Sequence, residues 1–566
     1  MPGGVWNDLV RRSEAADFLM LFVSFYTLGC KLNQLESESL ADRFCGRGCT
    51  VRSWGALSGG EGCPQAEGGA VRDCAGRADG DHTDSVDCGD RADLYVINTC
   101  TVTSKAEQKA RRMIRKVLRE IPDAVVIVTG CYAELDKPEI EALEAGSQGR
   151  LFVVPGSLKS SLLDLPAFLA GEGGPEASPR IRELVALWFS RCMNAPLNHD
   201  MRAFPVNQKN LSSRLPGGSD PFGFVPSRFS FHTRAFLKIQ DGCDKRCSYC
   251  RVSLARGRSR SLEAAEVLER VKRLEVQGYA EAVLTGVNIS RYRGVPPEHG
   301  DTAPSLTYPP DTPAPQYRQN PTDIQDLAYL LKYLLSGTDR IKLRLSSIEP
   351  DAIGERLLEA LASPRIQPHF HLSVQSGSPL ILERMRRSYS PEDITLKIGR
   401  LRSVKDDPFI ACDIITGFPG ETQAEFEKTY ALCKEAGFAW IHAFPYSPRQ
   451  GTEAMGFKGK VSEREARARM TRLTDLAWAG RLAYIGRWLG REVGAVIEDT
   501  IKTDGIEEGK PYTAGLSDNY LKLLVYTNGK PPPRGSALRC RLSALPHGQS
   551  SRFDAAAEIE SGFLFR

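Results

Sequence analysis

Apolar runs of strand length alternate with helix-length amphipathic segments through two stretches of this chain. In the first, Phe22 to Leu28 reads as a strand and Gln34 to Phe44 as a helix. Leu94 to Asn98 (LYVIN) reads as a second strand, followed by a strongly basic helix from about Lys105 to Glu120. Ala124 to Thr129 (AVVIVT) is a third strand, and Pro138 opens another helix, as proline at a first turn often does. Apolar strands alternating with helices predict a parallel sheet covered on both faces. From Phe231 the alternation resumes. Strands are expected at Ala235 to Gln240, Ala282 to Thr285, Lys342 to Leu345, His369 to Val374, Ile410 to Thr416 and Trp440 to Tyr446. Six such units predict a partial or full β/α barrel.

Three segments break these patterns. Residues 55–93 hold nine Gly and nine acidic residues against three Arg, with no periodicity, and read as a solvated, disordered insert. A stretch from about Gly171 to Ser230 is rich in Pro, Gly and Ser and reads as linker, with one short helical pattern at Ile181 to Phe189. Val295 to Pro321 is a Pro-rich loop insertion in the barrel. Beyond it, Val461 to Leu489 is helical, and short β patterns at Glu492 to Ile497, Tyr520 to Tyr526 and Ala537 to Leu542 predict a small terminal β-barrel. The expected fold class is α/β, with an N-terminal parallel domain over 20–165 and a linker over 166–230. The β/α barrel follows over 231–465, a helical connector over 466–490 and the terminal β-barrel over 491–566.

Composition narrows the classes without choosing among them. At 566 residues, 41% hydrophobic and 25% charged, the chain is an ordinary multi-domain globular protein. Its net charge of +4 is too small for a global nucleic-acid argument, so any basic face has to come from local patterning. No apolar run reaches the roughly 18 to 20 residues that span a bilayer. Phe18 to Leu28 ends in Gly29-Cys30 like a lipoprotein signal, but Glu14 and Asp17 sit where positive charge belongs. A cytoplasmic monomer is expected. The fifteen cysteines are too thinly spread for a disulfide scaffold, and in a reducing compartment clustered thiols mean metal or catalysis.

Cys243, Cys247 and Cys250 form C-x₃-C-x₂-C directly after a predicted barrel strand. Three thiolates on one short loop can hold three corners of an iron–sulfur cubane and leave the fourth iron open. A structural zinc site needs a fourth ligand at close spacing, and there is none here. The triplet resembles the signature of radical S-adenosylmethionine enzymes. The resemblance continues at Leu284-Thr285-Gly286, at Arg344 to Ser347 with Glu349-Pro350, at His371 to Gly377 (HLSVQSG), and at Asp413 to Thr422 (DIITGFPGET). It implies a [4Fe–4S] cluster on the three cysteines. It also implies S-adenosylmethionine contacts at Thr285, Gly286, Ser346, Ser347, Gln375, Ser376, Asp413 and Gly417.

Cys30, Cys100 and Cys131 each lie at or just beyond a predicted strand end, in YTLGC, VINTC and VTGC. In a parallel sheet those ends share one edge, where ligands bind. On geometry alone a converging ligand set and three buried structural cysteines stand level. The surrounding segments Gly29 to Gln34 with Glu36 and Glu38, Asn98 to Thr103, and Gly130 to Glu134 resemble the amino-terminal domain of the methylthiotransferases. In that family the three cysteines hold a second, auxiliary [4Fe–4S] cluster. The form GCKxNQxES is similar to the MtaB group, which modifies threonylcarbamoyl-adenosine in tRNA, and the terminal β module resembles the RNA-associated TRAM domain. The insert at 55–93 and the length of the linker are unlike the family.

The resemblance implies radical cleavage of S-adenosylmethionine at the barrel cluster, sulfur carried by the auxiliary cluster, and a methylthio group placed on C2 of the modified adenosine beside the anticodon. An electron donor such as flavodoxin or ferredoxin is implied. The alternatives are a different tRNA adenosine (isopentenylated), a ribosomal-protein aspartate, or, more distantly, a non-catalytic zinc-containing RNA-binding protein. Cys45, Cys49, Cys63, Cys74, Cys88, Cys192, Cys412, Cys433 and Cys540 match no ligand pattern, and the eight His show no metalloprotease grouping. Basic runs at Arg111, Arg112, Arg115, Lys116 and Arg119, at Arg251, Arg256, Arg258 and Arg260, and at Arg384, Arg386 and Arg387 read either as solvated faces or as polyanion contacts. Tyr512, Tyr520 and Tyr526 are candidate base-stacking aromatics.

Overall fold

The computed structural model describes residues 21–53, 91–144, 149–173, 181–194, 220–294, 325–499, 512–527, 532–545 and 553–565. Most of the acidic insert, the loop insertion after Val295, and Cys63, Cys74 and Cys88 lie outside them. The chain divides into two compact units. One holds residues up to Phe231 together with Leu254–Arg256, and the other holds the rest.

The first unit is a five-stranded, all-parallel sheet. Its strands are β1 (Phe22–Thr27), β2 (Thr50–Ser53), β3 (Leu94–Thr99), β4 (Val125–Gly130) and β5 (Leu151–Val153), in the order β2-β1-β3-β4-β5. Strands β3 and β4 are buried along their whole length, which is why they read as unbroken apolar runs. Helices α1 (Lys31–Cys45) and α2 (Ser104–Glu120) follow β1 and β3. Two short helices, α3 (Cys131–Leu135) and α4 (Lys137–Glu141), follow β4. Strands β2 and β5 are too short and too weakly patterned to stand out in sequence.

The segment read as linker behaves differently. Leu162 and Leu165 join one face of this sheet, as do Phe168 and Leu169 of α5 (Leu165–Gly173) and Ile181, Val185 and Trp188 of α6 (Ile181–Asn194). Phe224 joins the same core. The turn-forming residues that suggested a linker punctuate helices that finish the first domain's core.

In the second unit, β6 (Ala235–Asp241), β8 (Glu281–Gly286) and β9 (Lys342–Leu345) are parallel neighbours, with the short antiparallel β7 (Arg260–Ser261) at the edge. Strands β10 (His369–Gln375), β11 (Phe409–Thr416) and β12 (Trp440–Pro445) form a parallel trio. Single bridges Leu343↔Ile366 and Ile348↔Leu372 carry the curvature from one group to the other. This is a partial barrel of six parallel strands in chain order. The short helix α7 (Val252–Arg256) ends in the three residues that belong to the first unit, and helices α8 (Ala264–Val276), α9 (Leu327–Gly337), α10 (Glu355–Leu361), α11 (Pro379–Arg384), α12 (Pro391–Val404) and α13 (Gln423–Ala436) accompany the strands.

Helix α14 (Glu463–Trp488) leads into a closed β-barrel of β13 (Glu492–Asp499), β14 (Tyr512–Ser517), β15 (Lys522–Tyr526), β16 (Ala537–Ala544) and β17 (Ala555–Phe565). A capping box at Ser462 and Glu465 starts α14, each side chain bonding the other's backbone N–H. Tyr484, Ile485 and Trp488 of α14 share one core with Phe409, Ala411 and Ala439 of the parallel barrel and with Val493, Leu523, Val525 and Leu538 of the β-barrel.

The β-barrel is therefore docked at the N-terminal ends of the parallel strands. Arg344 and Glu281, both fully buried, form a bidentate pair at 2.7 Å, and Arg344 Nη1 also donates to the Asp518 carbonyl at 3.1 Å. Gln367 Nε2 donates to Glu281 at 2.7 Å and to Asp518 at 3.1 Å. Tyr520 stacks on His369 at 4.0 Å with the Arg344 guanidinium over its ring. Tyr512 is buried within the barrel. Two of the three tyrosines proposed to stack on RNA are thus spent on packing. The aromatic pattern of a small barrel does not distinguish an inward ring from an outward one once strand ends bend into turns, and Tyr520 stands in a turn at φ +67°.

Candidate functional site

In the first unit the strand register brings the ends of β1, β3 and β4 level: Thr27 pairs with Asn98, and Thr99 with Gly130. Cys100 and Cys131 each follow the paired end of their strand, and Cys30 caps the start of α1. Two glycines make the close approach possible. Gly29, at φ +100°, lies where a Cβ would meet Cys100 Cβ at 2.6 Å and Sγ at 2.7 Å. Gly130, at φ +102°, lies where one would meet the Thr99 carbonyl at 2.3 Å. Burial pushes the Cys100 thiol up to about 12, and the nearness of Cys30 and Cys131 adds to it. The Val102 N–H reaches Cys100 Sγ at 3.5 Å.

The polar residues around these cysteines hold the strand ends together. Asn33 Nδ2 donates to the Leu28 and Thr99 carbonyls at 2.7 and 3.0 Å, and Asn98 Nδ2 returns a bond to the Asn33 carbonyl at 3.0 Å. Lys159 Nζ, buried, joins Glu36 at 2.5 Å and Asn98 Oδ1 at 3.0 Å. Arg256 donates to Glu36 and Asn33 at 3.0 and 2.9 Å. Glu38 accepts the backbone N–H groups of Ser230 and Phe231 at 2.9 Å each. Asn33, Glu36 and Glu38 of the sequence motif are therefore a scaffold under the thiols. Lys159, their buried counterion, is too remote in sequence to be anticipated.

In the second unit Cys243, Cys247 and Cys250 occupy the loop after β6, at the C-terminal mouth of the partial barrel. Gly242, at φ +71°, starts the loop where a Cβ would meet the Arg258 carbonyl at 1.8 Å. The Cys243 N–H bonds the Gly257 carbonyl at 3.0 Å, and Ser248 is tied to the Met385 carbonyl by its N–H and to the Arg384 carbonyl by its hydroxyl. Burial raises the Cys243 thiol and takes Cys250 to about 11, with neighbouring cysteines contributing to both. The Val252 N–H reaches Cys250 Sγ at 3.4 Å.

Arg387 Nη1 donates to Cys247 Sγ at 3.2 Å, while its other nitrogens bond Glu349, the Ser373 carbonyl and Tyr389. Burial opposes its charge, yet Tyr249, Tyr389, Glu349 and Cys247 together raise its pKa. Arg387 had read as one of a basic run on a solvated or polyanion-binding face; instead it lies beneath the thiols. Among the described residues no three His, Cys, Asp or Glu side chains gather tightly enough to share one metal ion. A cubane takes each thiolate on a separate iron, and donors to the sulfurs from a guanidinium and from backbone N–H groups suit an anionic thiolate site. The donor sets fit such clusters chemically.

The residues expected to contact S-adenosylmethionine divide by surroundings. Thr285 is buried at the end of β8, and Gly286 packs where a Cβ would meet the Gln240 carbonyl at 2.9 Å. Ser346 is buried just after β9, its N–H bonded to the Leu284 carbonyl. Ser347 Oγ, His371 and Asp413 form a chain, with His371 Nδ1 3.0 Å from Ser347 and Nε2 3.1 Å from Asp413. Gln375 ends β10 at φ +69°. Ser376 is fully buried, its hydroxyl paired with Thr429 of α13 at 3.1 Å. Gly417, at φ +72°, abuts Ala466 of α14, where a Cβ would come within 2.5 Å. These last two serve helix packing. Cys412, Cys433 and Cys540 are buried, and Cys45, Cys49 and Cys192 pack in or against the first unit's core.

Residues 237–433 match the radical SAM superfamily model, and residues 65–149 match the model of the uncharacterized protein family UPF0004. The second match begins inside the acidic insert, so part of the segment set apart in sequence aligns with that family. The chain is 37% identical over 92% of its length, and 98% of the relative's, to the threonylcarbamoyladenosine tRNA methylthiotransferase MtaB of Treponema pallidum. It is 30% identical over 89% of its length to the Bacillus subtilis MtaB, covering 90% of that protein. A tRNA-2-methylthio-N(6)-dimethylallyladenosine synthase of Nitrosospira multiformis is 28% identical over 95% of each chain. A match at 37% identity over nearly the whole of both chains spans both halves, and the chain belongs to the MtaB-type methylthiotransferase family of radical S-adenosylmethionine enzymes.

Proposed function

We propose that this chain installs a methylthio group at C2 of N6-threonylcarbamoyladenosine beside the anticodon of tRNA. What carries the reading is the pairing of two three-thiol sets, one at each parallel sheet's C-terminal edge, with an MtaB relative matched almost end to end. Cys243, Cys247 and Cys250 would hold one [4Fe–4S] cluster and Cys30, Cys100 and Cys131 the other. Bound there with S-adenosylmethionine, they supply the radical, sulfur and methyl chemistry that polar side chains cannot deliver to an adenine C2–H.

The chain's own residues orient and shield. Arg387 and the Val252 N–H donate to two of the barrel thiols and hold them in place. Gln240 ties the loop to the second strand, donating to the Gly242 carbonyl at 2.7 Å and accepting the Asn288 N–H at 2.8 Å. Asp413 accepts from His371 in the tautomer that carries its proton on Nε2, and this bond fixes that ring against the barrel wall.

Among the described residues no helix is long and apolar enough to cross a membrane, and a tRNA substrate implies a cytoplasmic enzyme served by a flavodoxin- or ferredoxin-type electron donor. Nucleoside analysis of tRNA from a deletion strain tests the target. Loss of 2-methylthio-threonylcarbamoyladenosine is expected. Loss of the 2-methylthio-isopentenyl nucleoside instead, or unchanged tRNA with an unmodified ribosomal-protein aspartate, would replace this substrate with another.

The basic helix supports an RNA partner. Helix α2 has seven basic residues against two acidic ones, and the acid Glu107 is buried against Thr101. Lys105, Lys109, Arg112, Arg115 and Arg119 share its exposed face, which begins directly after the Cys100 segment. Lys116 is buried and Arg111 bonds Tyr132 at 2.6 Å, so this face is narrower than the sequence run. Replacing Lys109, Arg112 and Arg115 by Gln is expected to flatten the log–log salt dependence of tRNA binding by about 2 to 3, since each lost phosphate contact removes roughly 0.7 to 0.9. Anisotropy titrations across salt concentrations measure it.

A further inference from the structure

Strand β12 carries a ring at every second position, Trp440, His442 and Phe444, with Tyr446 just beyond its end. Strand alternation places the three on one face. That face is the barrel wall already described: His442 pairs in register with Asp413, and its ring centroid lies 5.1 Å from that of His371. The inner end of the row is closed. Trp440 packs edge-on to Trp478 at 5.2 Å and against the core shared with the terminal β-barrel, and its Nε1 donates to His442 Nδ1 at 3.2 Å. The outer end is open. Phe444 is 45% exposed, a large apolar ring left in solvent near the mouth where the Cys243 loop lies.

The rings of His442 and Phe444 are parallel within 8°, with centroids 6.4 Å apart. Side chains two apart on a strand stand about 6.8 Å apart, and stacked bases repeat at about 3.4 Å. Two stacking repeats need about 6.8 Å, so the pair takes one more planar ring when it opens by about 0.4 Å, a shift open to the exposed Phe444 side chain. Strand β12 ends its sheet among the described strands with α14 packed against it, so a flat ligand reaches the row from its outer end, where Phe444 is exposed.

We propose that His442 and Phe444 clasp one unpaired nucleobase of the RNA substrate, making β12 the stacking platform that presents the target nucleoside. This rests on the tRNA reading above. A protein target would bring an aspartate carboxylate, which has no planar ring to fill the gap. Stacking is indifferent to base identity, so the platform holds the nucleoside while other contacts choose it. No sequence signal beyond the W-x-H-x-F spacing marks it, because the same spacing serves any half-buried strand.

The test uses the full chain and a synthetic anticodon stem–loop with 2-aminopurine at the position 3′ of the anticodon. Binding to the unaltered chain is expected to quench the fluorophore. Phe444→Ala and His442→Ala should weaken hairpin binding roughly tenfold and lose most of the quenching, while Phe444→Tyr retains both. Binding of labelled S-adenosylmethionine should be unchanged in all three variants. Full affinity and quenching in Phe444→Ala overturn the proposal and leave the tRNA reading standing. Loss of S-adenosylmethionine affinity with quenching intact overturns it too, and gives the rings to the cofactor's adenine. If the unaltered chain does not bind the hairpin but binds a ribosomal-protein peptide, the tRNA reading falls and the clasp with it. Circular dichroism melting separates a lost contact from a misfolded variant, and Phe444→Tyr keeps the test decisive if Phe444→Ala melts.

Discussion

Cys243→Ala is expected to abolish 5′-deoxyadenosine formation, while Cys100→Ala keeps forming it and yields no methylthiolated tRNA. The two cysteines belong to different units and to different thiol sets, so the losses should separate by function. Cys243 opens the loop at the barrel mouth, with Cys247 and Cys250 as neighbours. Removing one of three thiolates leaves a cubane without a protein ligand at that corner, and each reconstituted variant should carry about four iron atoms rather than about eight. Cys100 is buried and lies beside Cys30 and Cys131. The measurements are product chromatography for 5′-deoxyadenosine, nucleoside mass spectrometry for the tRNA, and iron analysis. Methylthiolated tRNA from Cys100→Ala would overturn the auxiliary-cluster assignment, and eight irons in Cys243→Ala would overturn the barrel one.

Arg344→Met is expected to be the most damaging substitution outside the thiol sites, costing about 3 to 5 kcal/mol because it strands a buried carboxylate. Glu281 lies at the start of β8 under three partners: Arg344, Gln367 and, at 3.8 Å, Arg234. Burial alone would raise its pKa. The Arg344 charge and hydrogen bonds outweigh that and hold it near 2, against 4.5 when unfolded. A carboxylate depressed by this much contributes about 3 kcal/mol, present in full above pH ~5 and lost as pH falls toward 2. Glu281→Gln cannot titrate, so the stability gap between it and the unaltered chain should be constant near neutrality and shrink below pH ~4.5. Urea unfolding at several pH values measures this. A gap that does not change with pH would mean that Glu281 is not held as an ion in the folded state. Because each single change strands the other member of the buried pair, the double variant Arg344→Met/Glu281→Leu should lose less than the sum of the two.

How much of this was legible from sequence differs by element. The long strands and the helices after them were, because full burial writes continuous apolar runs and amphipathic helices keep a 3.6-residue period. Strands β2, β5, β14 and β17 were not. They are short or border turn-rich segments, and their partners rather than their composition make them strands. The stretch read as linker failed for a related reason. Its Pro, Gly and Ser residues announce turns, but nothing local says that Phe168, Val185 and Trp188 find a core to fill.

For the sites, the sequence alone supplied the candidate cysteines. Local spacing marks Cys243, Cys247 and Cys250, whereas the strand-end positions of Cys30, Cys100 and Cys131 leave a ligand set and buried structural cysteines level, and the resemblance of their flanking segments picks the first. Only the tertiary structure decided what surrounds them. Lys159 lies under Glu36 from more than a hundred positions away, Arg387 turns from a surface cation into a buried donor to Cys247, and Tyr520 leaves the candidate RNA face to stack on His369. Each is a charge or ring whose partner is distant in the chain. Burial changes what such a group costs and what it can do, and burial is settled by packing of the whole fold rather than by any neighbouring residue.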